Sequence, residues 1–400
     1  MKIAIIGAGA AGLMCACLLN NKHSITVFDK NKTAGKKLLL TGNGRCNLTN
    51  LVEPDEFLQS VTQNADFLNH ALNNFKSQDT VDFFEKLGIK LQVENNNRVF
   101  PSSGKAAAIK DALQNYAIKN GIQFLFESNV LDIERSGDGF EVIVLNSSKQ
   151  HYFDAVIIAT GGLSFPCTGS SGDGYGFAQK LGHKIIATRA SLCGLALKKP
   201  ANFQGTSVDC CIEIMDRDFL VVIKKEKGSL LFTKNGVSGP VIYRAVCAFK
   251  NHTIKNHYLK INFAPQLNEK EFEKQLKECA ADKPFYLLKK FLPVNIANWL
   301  IEVFSLPTKI CAKLTKQEQK RLYQIITKAH IEILDFEDIS SATITRGGID
   351  ISQMCSKTMQ SNFIKNLYFI GEILDIDALS GGFNLQIAFS TAAACAKNIS

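Results

Sequence analysis

The first twelve residues hold the spacing that most directly implies chemistry. An apolar run at 3–6 leads into Gly7, Gly9 and Gly12 in the order G-x-G-x-x-G, with Ala10 and Ala11 before the last glycine. Each glycine meets a different demand. Gly7 permits a tight turn out of a buried strand, Gly9 lets backbone approach a pyrophosphate, and Gly12 lets the next helix pack on that strand. The N-terminus of that helix offers free N–H groups and a positive dipole end to phosphate. Asp29 closes a second apolar run about 20 residues after Gly9, where a carboxylate can accept from a ribose 2′-hydroxyl.

Other residue types cluster in the same way. Positions 30–50 form a long connection carrying Lys30, Lys36, Lys37 and Arg45, cations suited to a diphosphate. Gly42 and Gly44 allow close backbone approach beside Arg45. Cys46 is the one cysteine inside this motif, a candidate for a role beside a redox ring, weighed against simple packing. The apolar run 153–158 ends in Ala-Thr-Gly-Gly at 159–162, which sets Thr160 and Gly161 at the carboxyl end of a strand, where open α/β sheets hold ligands. Asp173 precedes a helix and reads as its N-cap, with cofactor or substrate contact as the alternative. Near the end, the strand 366–370 runs into Gly371 and Glu372, followed by Asp375. Gly382, Phe383 and Asn384 then open a helix of small residues, whose N-terminus can favour negative charge on a ring. His183 ends a helix and reads as structural. No C-x-x-C, no zinc-type Cys/His spacing and no second G-x-G-x-x-G occur.

The elements needed to hold these residues suggest a parallel sheet built from 3–6, 24–28, 153–158 and 366–370. The runs 122–126, 129–133 and 140–145 read as a three-stranded antiparallel excursion, with a hairpin turn at 146–149. Helices are expected at 13–19, across 53–88 and at 105–120. The fold class is therefore α/β, a Rossmann-like domain interrupted by an insert. The boundaries expected are 1–190 and 341–400 for the nucleotide-binding domain and 191–340 for the insert. Within the insert, β structure is read at about 191–265, with strands at 206–215, 219–225, 228–233 and 258–263, and a small helical bundle at about 266–330.

A content of 46% hydrophobic and 21% charged residues fits a folded globular chain and argues against a disordered or fibrous one. No apolar run approaches the roughly 18–20 residues that span a bilayer. The N-terminus reads as strand and glycine turn rather than as a leader, so a cytoplasmic protein with reduced cysteines is expected. The net charge of +9 is uneven: positions 190–340 carry 23 Lys and Arg against 16 Asp and Glu. A basic segment can face nucleic acid, an anionic substrate or only water.

Taken together, the glycine motif, the Gly-Lys-Lys-Leu to Gly-Arg-Cys-Asn loop at 35–47, the segments 159–162, 168–176, 231–240 and 345–348, and the run 371–386 resemble the BaiN/RdsA-type NAD(P)/FAD-dependent oxidoreductases, bacterial cytosolic flavoproteins. The resemblance spans nearly the whole chain. It implies FAD as the cofactor, with Gly7, Gly9 and Gly12 at the pyrophosphate, Asp29 at the adenosine ribose and Arg45 with its neighbours beside the cofactor. Val130 would meet adenine through its backbone, Gly371 and Glu372 the ribityl-phosphate region, and residues 382–384 the pyrimidine end of the flavin. The loop reads Gly42-Asn43-Gly44 where the family pattern has three glycines, and asparagine tolerates a left-handed backbone better than most residues.

The expected activity is hydride transfer between flavin N5 and a small-molecule substrate, with NAD(P)H as a transient reductant. A flavoenzyme acting on RNA through the basic insert is an alternative, as is a flavin-binding redox sensor without turnover. The stretch 168–183 also resembles fumarate-reductase-like flavoproteins, without their paired Arg and His being legible.

Overall fold

The computed structural model describes all residues except 20–22, 148–150, 219–221, 248, 250–253, 255 and 400. The chain forms two compact units, Met1–Ser191 with Ile339–Ser400, and Leu192–Asp338.

The first unit is built on a five-stranded parallel sheet in the order Leu367–Phe369, Ala155–Ile158, Lys2–Ile6, Ser24–Phe28, Gln123–Leu125. The central strands are nearly continuous runs of Ile, Val and Ala because both faces are covered, as parallel strands require. Helices Ala10–Leu18 and Phe383–Asn398 pack on each other, and their small residues let the axes approach. The segment 122–126 corrects the expected excursion. It pairs in parallel with Ser24–Phe28 and forms the sheet edge. The three-stranded antiparallel sheet is instead Val130–Ser136, Gly139–Val144 and His151–Phe153. The turn expected at 146–149 lies partly outside the described residues.

Two smaller sheets complete this unit. Thr49–Asn50, Arg98–Pro101 and Leu91–Glu94 pair antiparallel, and so do Ile185–Ser191 and Ile344–Ile349. The long connection after Asp29 is not wholly irregular, since it holds the short helix Lys36–Leu40.

The second unit is a closed six-stranded barrel with helices between its last two strands. The barrel order is Leu195–Leu197, Gly236–Ser238, Val222–Phe232, Ser207–Asp216, His257–Asn262 and Ala329–Phe336. The helices at 269–327 lie between two barrel strands, and strand Ala329–Phe336 after them closes the barrel. That strand alternates buried Ala329, Ile331 and Ile333 with more exposed partners, the period expected of a barrel wall. The expected strand at 219–225 begins outside the described residues.

Candidate functional site

The carboxyl ends of the parallel strands meet a set of close approaches. Helix Ala10–Leu18 begins at Gly9 with no capping side chain and no acid in its first turn. Its leading amides therefore have no side-chain acceptor. A Cβ built on Gly9 would meet no atom within 4 Å, whereas one on Gly12 would lie 1.9 Å from the Gly7 carbonyl oxygen. Gly12 thus lets the helix seat on the turn, while Gly9 borders open space. The Gly7 turn lies against Ala159, and the turn at Gly371 lies against the first turn of the same helix, where a Cβ would come 2.7 Å from that of Ala11. Thr160 and Gly161, just after Ala159, and Ala10 and Ala11 are in this way brought to one place.

The Asp29 carboxylate accepts from the Ala8 amide at 2.8 Å and from the backbone and side-chain nitrogens of Asn31 at 2.8 and 2.9 Å. It therefore braces the glycine turn itself. Lys30 pairs with Asp173 at 2.5 Å and also donates to Ser171. Asp173 is not the N-cap: Gly172 occupies that position and Asp173 is the first helical residue. The carboxylate is drawn sideways to Lys30 instead of back to its own helix.

Lys37 and Glu372 were separate candidates, and the fold joins them. The Lys37 ammonium donates to both Glu372 oxygens, at 2.9 and 2.7 Å, and to Ser164 at 2.5 Å. Glu372 also accepts from the Ser164 hydroxyl and the Thr345 amide, each at 2.9 Å. Four segments far apart in sequence are tied by one carboxylate. Ser164 and Thr345 were not legible as members of this network; the only signal was the position of each beside a glycine motif.

Arg45 turns to the small sheet. Its guanidinium pairs with Glu94 and lies 4.3 Å from the centre of the Phe100 ring. The pair holds the Glu94 carboxyl below the usual range. Gly44 is exposed, and its carbonyl accepts from Ala106 at 2.8 Å. Asn43 has φ 56°, the left-handed conformation that its residue type tolerates. Cys46 is fully buried, and burial pushes its thiol up to about 12. A buried thiol raised in this way favours packing over reaction. Iodoacetamide at pH 8 is expected to leave Cys46 of the folded protein unmodified while labelling exposed Cys167; peptide mass spectrometry reads both. All 12 cysteines are free thiols.

Val130 is buried and pairs with Val144 at the start of the antiparallel sheet. Asp375 is buried beside Gln63 and Asn64, and accepts from Asn64 at 3.1 Å. Burial, with Asp377 adding to it, pushes the Asp375 carboxyl up. Two residues on, Asp377 is fully buried and receives Arg346 at 2.9 to 3.2 Å, Ser191 at 2.7 Å and Thr62 at 2.7 Å.

Gly382 caps the last helix at φ 100°, a conformation that favours glycine, with no capping side chain and no acid in the first turn. A Cβ there would fall 2.4 Å from the Thr49 carbonyl oxygen. Phe383 meets Phe57 edge to face at 5.0 Å. Asn384 braces the preceding loop, accepting from the Ala378 amide at 2.9 Å and donating to its carbonyl at 2.8 Å. Buried Gln386, missed as a site residue, accepts from Thr49 at 2.6 Å and Thr80 at 2.8 Å.

This arrangement fits a dinucleotide carrying a ring system. It has two helix starts without caps and an open approach at Gly9. Asn50, whose amide donates to Gly381 at 3.0 Å, leaves its Oδ1 buried without a partner, as do Asn47 Oδ1 and Thr160 Oγ1. Each such atom costs about 1–3 kcal/mol if left unsatisfied, a cost that a polar ligand relieves. Among the described residues no helix is long and apolar enough to cross a membrane.

Comparison with known proteins agrees with this geometry. Residues 1–398 match the family described as HI0933-like protein Rossmann domain. The ribosomal RNA dihydrouridine synthase of Haemophilus influenzae is 34% identical over 405 residues, covering 99% of this chain and 98% of that one. The 3-dehydro-bile acid delta(4,6)-reductase of Clostridium scindens is 26% identical, covering 98% and 97%. Among solved structures, 3-ketosteroid delta1-dehydrogenase from Sterolibacterium denitrificans superposes with a TM-score of 0.56 at 12% identity, covering 99% and 98%, a likeness of fold. The chain therefore belongs to the HI0933-like Rossmann family, the flavoprotein oxidoreductases whose motifs its sequence carries.

Proposed function

We propose that this protein binds FAD and adds two hydrogens across a carbon–carbon double bond conjugated to a carbonyl. The single observation that carries the cofactor assignment is the uncapped helix start at Gly9, open where backbone must meet a pyrophosphate. Gly7, Gly9 and Ala10–Gly12 would hold that group, Asp29 and Val130 the adenosine end, Gly371 and its neighbours the ribityl chain, and 382–384 the far end of the ring. The Lys37–Glu372 pair, with Arg45 and Glu94, fixes the loops on either side and so orients the cofactor. When bound and reduced by a hydride from NAD(P)H, the flavin would supply the hydride to the substrate and return to its oxidised form.

The reaction class rests on the two relatives by name. Dihydrouridine differs from uridine by two hydrogens across the C5–C6 bond, next to the C4 carbonyl. A delta(4,6)-reductase of a 3-oxo steroid saturates bonds in conjugation with that oxo group. The shared demand is a hydride at the electrophilic end of a double bond conjugated to a carbonyl and a proton at its other carbon. The higher identity of the synthase, 34% against 26%, favours a uracil ring in ribosomal RNA as the substrate. The bile acid relative supports a small conjugated ketone as the second reading.

The test uses the purified yellow protein with NADH or NADPH and either unmodified ribosomal RNA transcript or a panel of conjugated 3-oxo steroids. The expected result is dihydrouridine in the digested RNA, counted by nucleoside mass spectrometry and dependent on reduced nicotinamide. Gain of two hydrogens by a steroid alone moves the assignment to the second reading. Reduction of the flavin with no product from either substrate overturns the reaction class and leaves a redox sensor.

A further inference from the structure

The second unit carries an aromatic and basic cluster. Its position is fixed by backbone. The Cys311 amide donates to the Asp282 carbonyl at 2.8 Å and the Ala312 amide to that of Ala280 at 2.9 Å. Lys283 and Lys313, one residue beyond each fastening, therefore leave the same edge, and both are exposed. The short helix Pro284–Leu288 starts there, and its Leu287 and Leu288 are fully buried while Tyr286 stays 52% exposed. Phe285 and Tyr286 sit edge to face at 5.3 Å. The Lys289 ammonium lies 5.4 Å from the centre of the Phe285 ring and 5.9 Å from that of Tyr286.

The basic residues of this edge outnumber its acids, exposed Asp282 and Glu278. Lys290 nearby pairs with Glu278 at 2.8 Å, but among the described residues Lys283, Lys289 and Lys313 have no carboxylate within ion-pair distance. An exposed tyrosine with Lys289 at its ring, on a helix that starts beside Lys283 and the Lys313 fastening, is a poor face for an apolar protein contact. It suits a flexible polyanion that also offers flat rings. Phosphates take the ammonium groups and a base stacks on the aromatic face, the combination by which single-stranded nucleic acid is held without sequence preference.

We propose that Tyr286, with Lys283, Lys289 and Lys313, binds a single-stranded segment of the RNA substrate. This rests on the ribosomal RNA reading given above. The full-length flavin-loaded protein is titrated with fluorescent oligouridine, with duplex RNA and with phosphatidylglycerol vesicles, across a range of salt. The oligouridine is expected to bind best. Tyr286→Ala should weaken it roughly tenfold and Tyr286→Phe should restore it. Replacing the three lysines by glutamine should flatten the salt dependence by about 2 in the log–log slope. Flavin absorbance and its reduction by nicotinamide should stay unchanged in every variant. Wild-type affinity and slope in these variants would overturn the surface while leaving the RNA reading intact. Failure of the unaltered protein to bind any RNA at low salt would overturn both, and preference for vesicles or duplex would overturn the single-strand assignment.

Discussion

Gly9→Val is expected to purify folded and colourless. The backbone at Gly9 has φ −78° and ψ −170°, an extended conformation that valine adopts freely. A Cβ built there meets no atom within 4 Å beyond its chain neighbours. Stability should therefore stay within about 1 kcal/mol of the parent, the scale of a changed N-cap. The added methyl groups instead fill the space through which a pyrophosphate must approach the amides of the first turn. Bound flavin, read as the ratio of visible to ultraviolet absorbance, should drop to less than about one tenth of the parent's, with an unaltered circular dichroism spectrum. Gly12→Val separates cofactor loss from misfolding, because its Cβ would lie 1.9 Å from the Gly7 carbonyl, so that variant should fail to fold. Stoichiometric flavin in folded Gly9→Val would place the pyrophosphate elsewhere.

The second large effect belongs to Asp377. Arg189 and Arg346 face each other across the antiparallel pair Ile185–Ser191 and Ile344–Ile349. Like charges opposite one another destabilise a sheet. Burial, with Arg346 reinforcing it, holds the Arg189 guanidinium below its ordinary value, and Asp377 and Asp375 oppose that shift. Asp377→Ala removes a buried carboxylate that accepts from Arg346, Ser191 and Thr62. Removing one partner of a buried pair costs about 3–5 kcal/mol, since the other charge remains. Urea unfolding of the first unit should show a loss of that size, and Asp377→Asn, which keeps an acceptor, a smaller one. A loss under about 1 kcal/mol in Asp377→Ala would mean that this ion pair does not hold the loop.

The parts of the fold that were legible are those whose local pattern has only one outcome. The apolar run at 3–6, the glycine spacing and the small-residue run after Gly382 each dictate strand, turn or helix without help from distant chain. Pairing was less legible. The run 122–126 reads as a strand, but nothing local says that it joins Ser24–Phe28 rather than the hairpin beside it. The strand Ala329–Phe336 follows directly on helix Lys316–Thr327, and the helical period there masks the alternation that starts at Ala329. Site chemistry shows the same division. The cations Lys30, Lys37 and Arg45 could be picked out by type, but their partners Asp173, Glu372 and Glu94 are chosen by the fold. Cys46 stood out by its place in a motif, and only burial shows that its sulfur is inert.

The parallel sheet takes its edge strand Leu367–Phe369, and the crevice its second uncapped helix at Phe383, from the end of the chain. During vectorial synthesis the second unit is complete once residue 338 has emerged, while the first still lacks both pieces. The order of assembly on the ribosome is therefore inside out: the interrupting barrel can close first, and the unit that begins the chain is finished last. A nascent chain stalled ahead of Gly382 carries the glycine turn without the helix Phe383–Asn398 that packs on Ala10–Leu18.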